Sequence, residues 1–477
     1  MRYVTLFFTL HVVLVSYLYT HFWFPIATTP PHLLESLRLS SCTSVLSLET
    51  GGSKCDSFSP PSPQNCRLAF AYSAVSDLVV DSKEMLRHYQ PDYRAEPMVE
   101  LRTLEDVMGN LGYHFSKGIA GEYRVEDQSV FQRIVDSGRN GTSLIGGNGA
   151  IMALRAAQLG CKVGLAAPLS LAQTALIPRS VHMLTPPVPN PDIHLVLEYQ
   201  ESQRWGGLVA PHSNRFYLNH DKHMLSLDFK DALHSQNLPE YDLFAIGGLH
   251  LMQNYEKSGE ILADIGKFIA KLKGEGKAVH FELADIKNEA FYADLLAQVV
   301  SQADSLGFNE QELKTYGTFL ASGTLRFGWQ SRPSVSDIIA ETISAMRLGQ
   351  EKGFKVTRVH AHSPLAHVLC SHTAHWELPE VAVASGALLA GQLACNSTDI
   401  DPSLVQLSDE EVVLTRLSGE KQQTKRGEGA VQCWAAAEDY HCCVALVPYC
   451  QVPRQTRALG DNISGTGLAL HRRKSRT

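Results

Sequence analysis

The chain has 477 residues, enough for one large domain with an appended lid or for two or three ordinary domains. Its 44% hydrophobic and 19% charged content, with 22 prolines, is that of a globular protein and not of a disordered one. A formal charge of −7 argues against a general nucleic-acid partner, which would need a basic surface to replace phosphate counterions, and the basic tail of residues 468–477 is too short to change that.

Residues 1–28 open with one early positive charge, Arg2, followed by a nearly continuous apolar run through Phe24. This pattern fits a signal peptide or a membrane anchor, and points to the secretory pathway, in the endoplasmic reticulum or beyond it. The 10 cysteines are then candidates for disulfides whose pairing cannot be read from sequence; Cys433, Cys442, Cys443 and Cys450 crowd the C-terminal region without a His/Cys spacing that matches a zinc site. Asn140 and Asn396 stand in glycosylation sequons, and so does Asn462, within the region expected to hold the active site. Residues 29–66, rich in Ser, Pro, Thr and Gly, read as a linker, and folded sequence begins at about Leu68.

From there short apolar strands alternate with helix-length amphipathic segments. The expected strands are His194–Tyr199, Leu243–Ile246, Val279–Leu283, Ala303–Phe308 and Arg358–His362, with helices at Tyr255–Lys273 and Lys287–Val300. This alternation predicts an α/β domain with a mainly parallel sheet, whose ligands bind beyond the carboxyl ends of the strands.

Four constellations could carry chemistry. The turn Gly146-Gly147-Asn148-Gly149 opens a helix over Ile151–Leu159. A dinucleotide fingerprint is disfavoured there, because Met152 occupies the position of the third glycine and Ala166-Ala167-Pro168 stands where an acidic residue is needed. A turn bringing backbone and an amide to sugar hydroxyls fits better, and a tight turn before a packed helix is the structural alternative. Glu282 closes one strand, and Asn309 and Glu312 follow the next at helical spacing; hard carboxylate oxygens acting through waters suit Mg²⁺ on a nucleotide's phosphates, although each motif alone also reads as a strand end or a helix cap. Near the C-terminus Ala458-Leu459-Gly460-Asp461 places a carboxylate behind a glycine turn, as a phosphoryl-transfer base would require.

Together and in this order these elements resemble the eukaryotic ADP-dependent glucokinases of the ribokinase-like superfamily. The resemblance runs from about Leu68 to Gly467 and includes Leu195-Val196-Leu197-Glu198-Tyr199-Gln200, Ala210-Pro211-His212-Ser213-Asn214-Arg215-Phe216, His280-Phe281-Glu282-Leu283, Ser305 to Leu313, Arg358-Val359-His360-Ala361-His362 and Leu459-Gly460-Asp461. It implies a ribokinase-like sheet with a smaller discontinuous lid, drawn from parts of 80–113 and 194–221 within a kinase domain over 67–467. It further implies a monomer that phosphorylates glucose with ADP and Mg²⁺. By the same resemblance Asp461 is the base, the Gly460 backbone helps form the anion hole, and Arg215 faces the transferring phosphate. Asp77, Gly147, Asn148 and Glu198 face glucose; His362, Leu459 and Gly460 face the nucleotide; Glu282, Glu312 and Asn309 form the metal shell. Glu198 would disfavour a phosphorylated sugar by like-charge repulsion. Three departures stand out: Ala458 replaces a glycine, Gln455 an arginine and Ser73 an asparagine. A non-catalytic sugar- or nucleotide-binding protein of the same fold is the second reading.

Overall fold

A computed structural model describes residues 36–37, 65–92, 94, 96–329, 332–408, 411–425, 429–455 and 457–474. The expected leader, residues 1–28, lies outside them, and no helix among the described residues is long and apolar enough to cross a membrane.

The main body is built on a ten-stranded sheet. Its parallel part runs in the order Val181–Met183, Lys162–Ala166, Arg67–Ala71, Leu243–Ile246, Ala278–Glu282, Ser305–Asn309 and Arg358–His362. Three antiparallel strands, Ala366–His372, Tyr440–Leu446 and Val431–Ala435, extend it at the far edge. The expected strands at 243–246 and 358–362 match as drawn, and those at 279–283 and 303–308 are displaced by one or two residues. The helices expected between them occupy Ser258–Gly274 and Glu289–Gln298.

The two faces of this sheet differ chemically. Phe281, Leu306, Phe308 and Val359 point to one side, where Phe308 meets Tyr316 of helix Glu310–Ser322 at 5.8 Å between ring centroids. Because successive side chains alternate, the intervening residues His280, Glu282, Ser305, Arg358, His360 and His362 point to the other side. There helices Asn148–Gln158, Leu459–Leu470 and Pro379–Cys395 pack side by side.

A second, five-stranded sheet forms the lid, in the order Gly121–Arg124, Asn214–Asn219, Ile193–Tyr199, Val75–Asp81 and Thr142–Gly146. It has its own apolar core, in which Val80, Leu195, Leu197, Phe216 and Leu218 pack under helices Leu104–Lys117 and Gln128–Ser137. The lid is therefore larger than the sequence suggested. It takes in residues 75–79 and 114–146 together with the strand Ile193–Tyr199.

Among the described residues four disulfides join Cys66–Cys161, Cys370–Cys442, Cys395–Cys450 and Cys433–Cys443. Two of them link directly opposed residues of the antiparallel strands, so the neighbours Cys442 and Cys443 tie Tyr440–Leu446 to a strand on either side. The linker expected at 29–66 does not hold throughout: Ser36 and Leu37 are helical, and Leu37 is fully buried in the main core. Leu37→Ala should accordingly cost about 2–5 kcal/mol of stability through the cavity it leaves. Chemical denaturation would show this, and an unchanged midpoint would mean that the segment does not dock.

Candidate active site

The cleft between the two sheets collects residues from both. Gly147 takes φ +88° to begin helix Asn148–Gln158, and a Cβ there would stand 2.7 Å from Ser73 Oγ and 2.8 Å from Ala74 Cα, so the position is restricted to glycine. A Cβ on Gly146 would meet Asp77 Oδ1 at 2.1 Å. The glycine turn thus lets Asp77, on lid strand Val75–Asp81, lie against it. Asn148 Nδ2 then donates to Asp461 Oδ1 at 2.8 Å, joining residues 313 apart in sequence.

Asp461 lies in the first turn of helix Leu459–Leu470. The first hydrogen bond of that helix runs from Asn462 N–H to Ala458 C=O, so the N–H groups of Leu459, Gly460 and Asp461 precede it and face outward at the positive end of the helix dipole. N–H groups left in this way can receive an anion. Ala458 supplies the turn with φ +58° and ψ +11°, the conformation a glycine would adopt more readily, at a cost of about 1–2 kcal/mol for a residue with a Cβ. Asn462 donates its side-chain amide to Ala458 C=O, which commits this sequon to the turn, whereas Asn140 and Asn396 are exposed.

Glu282 is buried at the end of its strand and accepts from His280 Nε2 at 2.9 Å, His362 Nε2 at 3.2 Å and Ser464 Oγ at 2.8 Å. Burial by itself would raise its pKa, but the bonds from His280 and His362 hold it down at about 2. The Ser464 bond ties helix 459–470 to the sheet. His362, expected at the nucleotide, lies under the turn, where a Cβ on Gly460 would stand 2.7 Å from its ring.

Asn309 and Glu312 form a capping box on helix Glu310–Ser322. Asn309 Oδ1 accepts the N–H groups of Gln311 and Glu312, and both Glu312 oxygens accept from Asn309. Their first task is therefore to start a helix. Glu312 also sits among like charges: burial first, then Glu282, Asp285 and Glu310, push its carboxyl well above the ordinary range. Hard oxygen donors that repel one another suit a small divalent cation held through waters. Among the described residues the one tight group of three metal-type ligand atoms is Cys433, His441 and Cys443, whose two sulfurs are already bonded to each other.

On the lid the expected carboxylates Asp77 and Glu198 stand at different points along the cleft face. Asp77 pairs in register with His194, whereas Glu198 pairs with Asp81 and Arg215, four residues along the strand, or about 13 Å at strand rise. The second carboxylate near Asp77 is Glu122, on strand Gly121–Arg124. It lies 3.5 Å from His250 Nε2 and 3.8 Å from His194 Nδ1. Burial opposes its ionisation, but His250, His194 and Lys287 hold its pKa below the usual range. His194 also meets Asp221 at 3.0 Å; despite burial, Asp221 with Glu122 and Asp77 raises it to about 10, so it is cationic at neutral pH. No local signal marked Glu122, because its strand has four residues and only the lid pairing aims it into the cleft.

Arg457 Nη1 lies 3.9 Å from Asp77 Oδ2. Gln455, where an arginine was expected, instead donates to Arg457 C=O. Ser73, the third departure, is buried between Gly147 and Gly248 and accepts Ala150 N–H on its carbonyl. Arg215, on lid strand Asn214–Asn219 directly opposite Glu198, acts electrostatically on both Asp77 and Asp461.

The model for the ADP-specific phosphofructokinase/glucokinase conserved region matches residues 66–470. The chain belongs to this family. Among its relatives is the ADP-dependent glucokinase of Bos taurus, 29% identical over 421 residues covering 84% of each chain. A probable ADP-dependent glucokinase of Caenorhabditis elegans is 27% identical over 393 residues, 77% of each. A solved ADP-dependent kinase in complex with fructose 6-phosphate and ADPβS superposes with a TM-score of 0.65 at 16% identity, covering 92% of this chain and 97% of that one. A hypothetical ADP-dependent phosphofructokinase from Pyrococcus horikoshii OT3 gives 0.58 at 16% identity over 86% and 98%. The family's sugar kinases are phosphotransferases with a hydroxyl acceptor, and this chain is one of them.

Burial first, and Glu282 second, lift Asp461 to about 6 against the Asn148 bond, His362 and Arg215. A base must be deprotonated to work, so turnover should be full well above that value and fall as pH drops through it. The acid limb of kcat/KM should show an apparent pKa near 6; a flat profile between about pH 7.5 and 5 would exclude Asp461 as the base.

Proposed function

We propose that this protein transfers the β-phosphoryl group of ADP to the 6-hydroxyl of glucose, giving glucose 6-phosphate and AMP. The observation that carries the reading is the Asn148–Asp461 hydrogen bond, which fixes a carboxylate at the mouth of the anion hole and beside the glycine turn of the sugar pocket. Asp461 takes the proton of the 6-hydroxyl as that oxygen attacks the β-phosphorus, and the bond to the α–β bridging oxygen breaks to release AMP. The N–H groups of Leu459, Gly460 and Asp461 and the guanidinium of Arg215 receive the charge on the moving phosphoryl group. Asn148 leaves Asp461 one preferred orientation.

The preference for an unphosphorylated sugar rests on how the lid's charges are committed. His194 is paired with Asp221, His250 with Glu122 and Arg457 with Asp77. Arg215 serves the phosphate being transferred. A second phosphate, on the sugar, would meet Asp77 and Glu122 as like charges. Glu122 thereby adds to the discrimination assigned to Glu198.

Mg²⁺ is the cofactor we infer, with Glu282 and Glu312 as its outer carboxylates and Asn309 holding Glu312 in place. When bound, it would neutralise the nucleotide's phosphates. Four disulfides and two exposed sequons support a secretory-pathway location, with residues 1–28 as leader or anchor.

Two substitutions test the reading. Asp461→Asn keeps shape but accepts no proton, so turnover should fall on the order of 10²- to 10⁴-fold while calorimetry still shows glucose and ADP binding. Turnover within a few-fold of the parent would remove Asp461 from this role. Glu312→Gln should raise the Mg²⁺ concentration needed for half-maximal rate with the circular dichroism spectrum unchanged; an identical Mg²⁺ titration would exclude Glu312 from the metal shell.

A further inference from the structure

Beneath helix 459–470 the polar face of the main sheet carries buried groups that the reaction itself does not use. Arg358 is fully buried and forms no carboxylate pair among the described residues. Its Nη1 donates to Ser305 Oγ at 2.8 Å and its Nε to His471 Nδ1 at 2.7 Å. Ser305 Oγ lies 2.8 Å from His280 Nδ1, and His280 Nε2 lies 2.9 Å from Glu282 Oε2. Four side chains on three neighbouring strands thus form one line from a buried cation to the carboxylate under the catalytic helix.

The direction of each hydrogen bond in this line follows from chemistry. A guanidinium only donates, so Ser305 Oγ is the acceptor toward Arg358 and its single hydrogen is left for its other neighbour. That neighbour is His280 Nδ1, which receives it by presenting a lone pair, and Glu282, a carboxylate that only accepts, favours the same arrangement from the other side of the ring. The imidazole proton therefore sits on Nε2, where it is donated to Glu282. The opposite tautomer would set a ring lone pair against a carboxylate oxygen at 2.9 Å. The same reasoning makes His471 Nδ1 an acceptor and sends its Nε2–H toward Ser371 Oγ at 3.3 Å.

We propose that Arg358 is a positioning residue for phosphoryl transfer: acting through Ser305, it fixes His280 as the Nε2–H tautomer and thereby holds Glu282 as an oriented carboxylate. Glu282 also accepts from Ser464 within the helix, and His471 follows the helix end, so the one guanidinium organises the sheet side of both ends of the element that carries Asp461. The inference rests on the reading of Glu282 as part of the Mg²⁺ shell. Partners of this kind, one bond removed from a metal ligand, set its orientation and its affinity.

The test uses the full chain labelled with ¹⁵N, and long-range ¹H–¹⁵N spectra in which the His280 signals are those lost in His280→Gln. The parent should show a protonated Nε2 and an unprotonated Nδ1 at His280. Ser305→Ala should admit the Nδ1–H tautomer and weaken Mg²⁺ binding in calorimetry about tenfold or more. Ser305→Thr retains the hydroxyl and should keep the parent spectrum and affinity. A parent that carries the Nδ1 proton overturns the proposal without recourse to any variant. So does a Ser305→Ala protein with an unchanged tautomer and Mg²⁺ affinity within about twofold of the parent. If Glu282→Gln binds Mg²⁺ as the parent does, the metal role of Glu282 falls, and the spectra still decide the tautomer independently.

Discussion

The buried carboxylate of Glu282 is the constraint on which the catalytic half of the molecule depends. A carboxylate taken out of water is costly unless its lone pairs are satisfied. Here two imidazoles and a hydroxyl do so, from its own strand, from a strand two places away in the sheet and from helix 459–470. That arrangement turns an electrostatic debt into a geometric fixture. The helix that ends the fold cannot slide along the sheet without leaving Glu282 unsatisfied, and with the helix go its first N–H groups and Asp461.

The polarity of the two sheets follows a matching logic. Each presents an apolar face to its own helices and a polar face to the cleft or to the catalytic helix, as alternation along a strand allows. The lid places Asp77, Glu122, His194 and Arg215 on its cleft side, while Val80, Leu195, Leu197, Phe216 and Leu218 build a core behind them. Because that core is separate, the lid can approach the main sheet as a unit. Closure would exclude water that otherwise competes for the phosphoryl group.

The departures from the family pattern are absorbed locally. Ala458 takes a glycine's conformation, Ser73 fills the space between two glycines, and Arg457 stands beside Asp77 where Gln455 does not reach. None of them displaces Asp461 from Asn148. Strain at one turn is small against the several buried contacts that hold the helix behind it.

Local pattern alone determined the alternation of strands and helices, the glycine turns at 146–149 and 459–461, and the polar residues at strand ends. Each of these is written in a few adjacent residues whose side-chain period or backbone freedom can be read directly. Resemblance to relatives then supplied roles for Asp461 and Glu282. Tertiary structure decided the rest. Glu198 and Glu122 both sit in or next to short strands, and only strand pairing shows which is aimed at Asp77, since one sheet register sets every neighbour across it. The disulfide partners, the capping role of Asn309 and Glu312, and the burial of Leu37 in what read as linker are likewise matters of which distant segments meet. The line from Arg358 to Glu282 is of the same kind: its residues are spread over 79 positions, from His280 to Arg358, and become neighbours only because parallel strands lay them side by side.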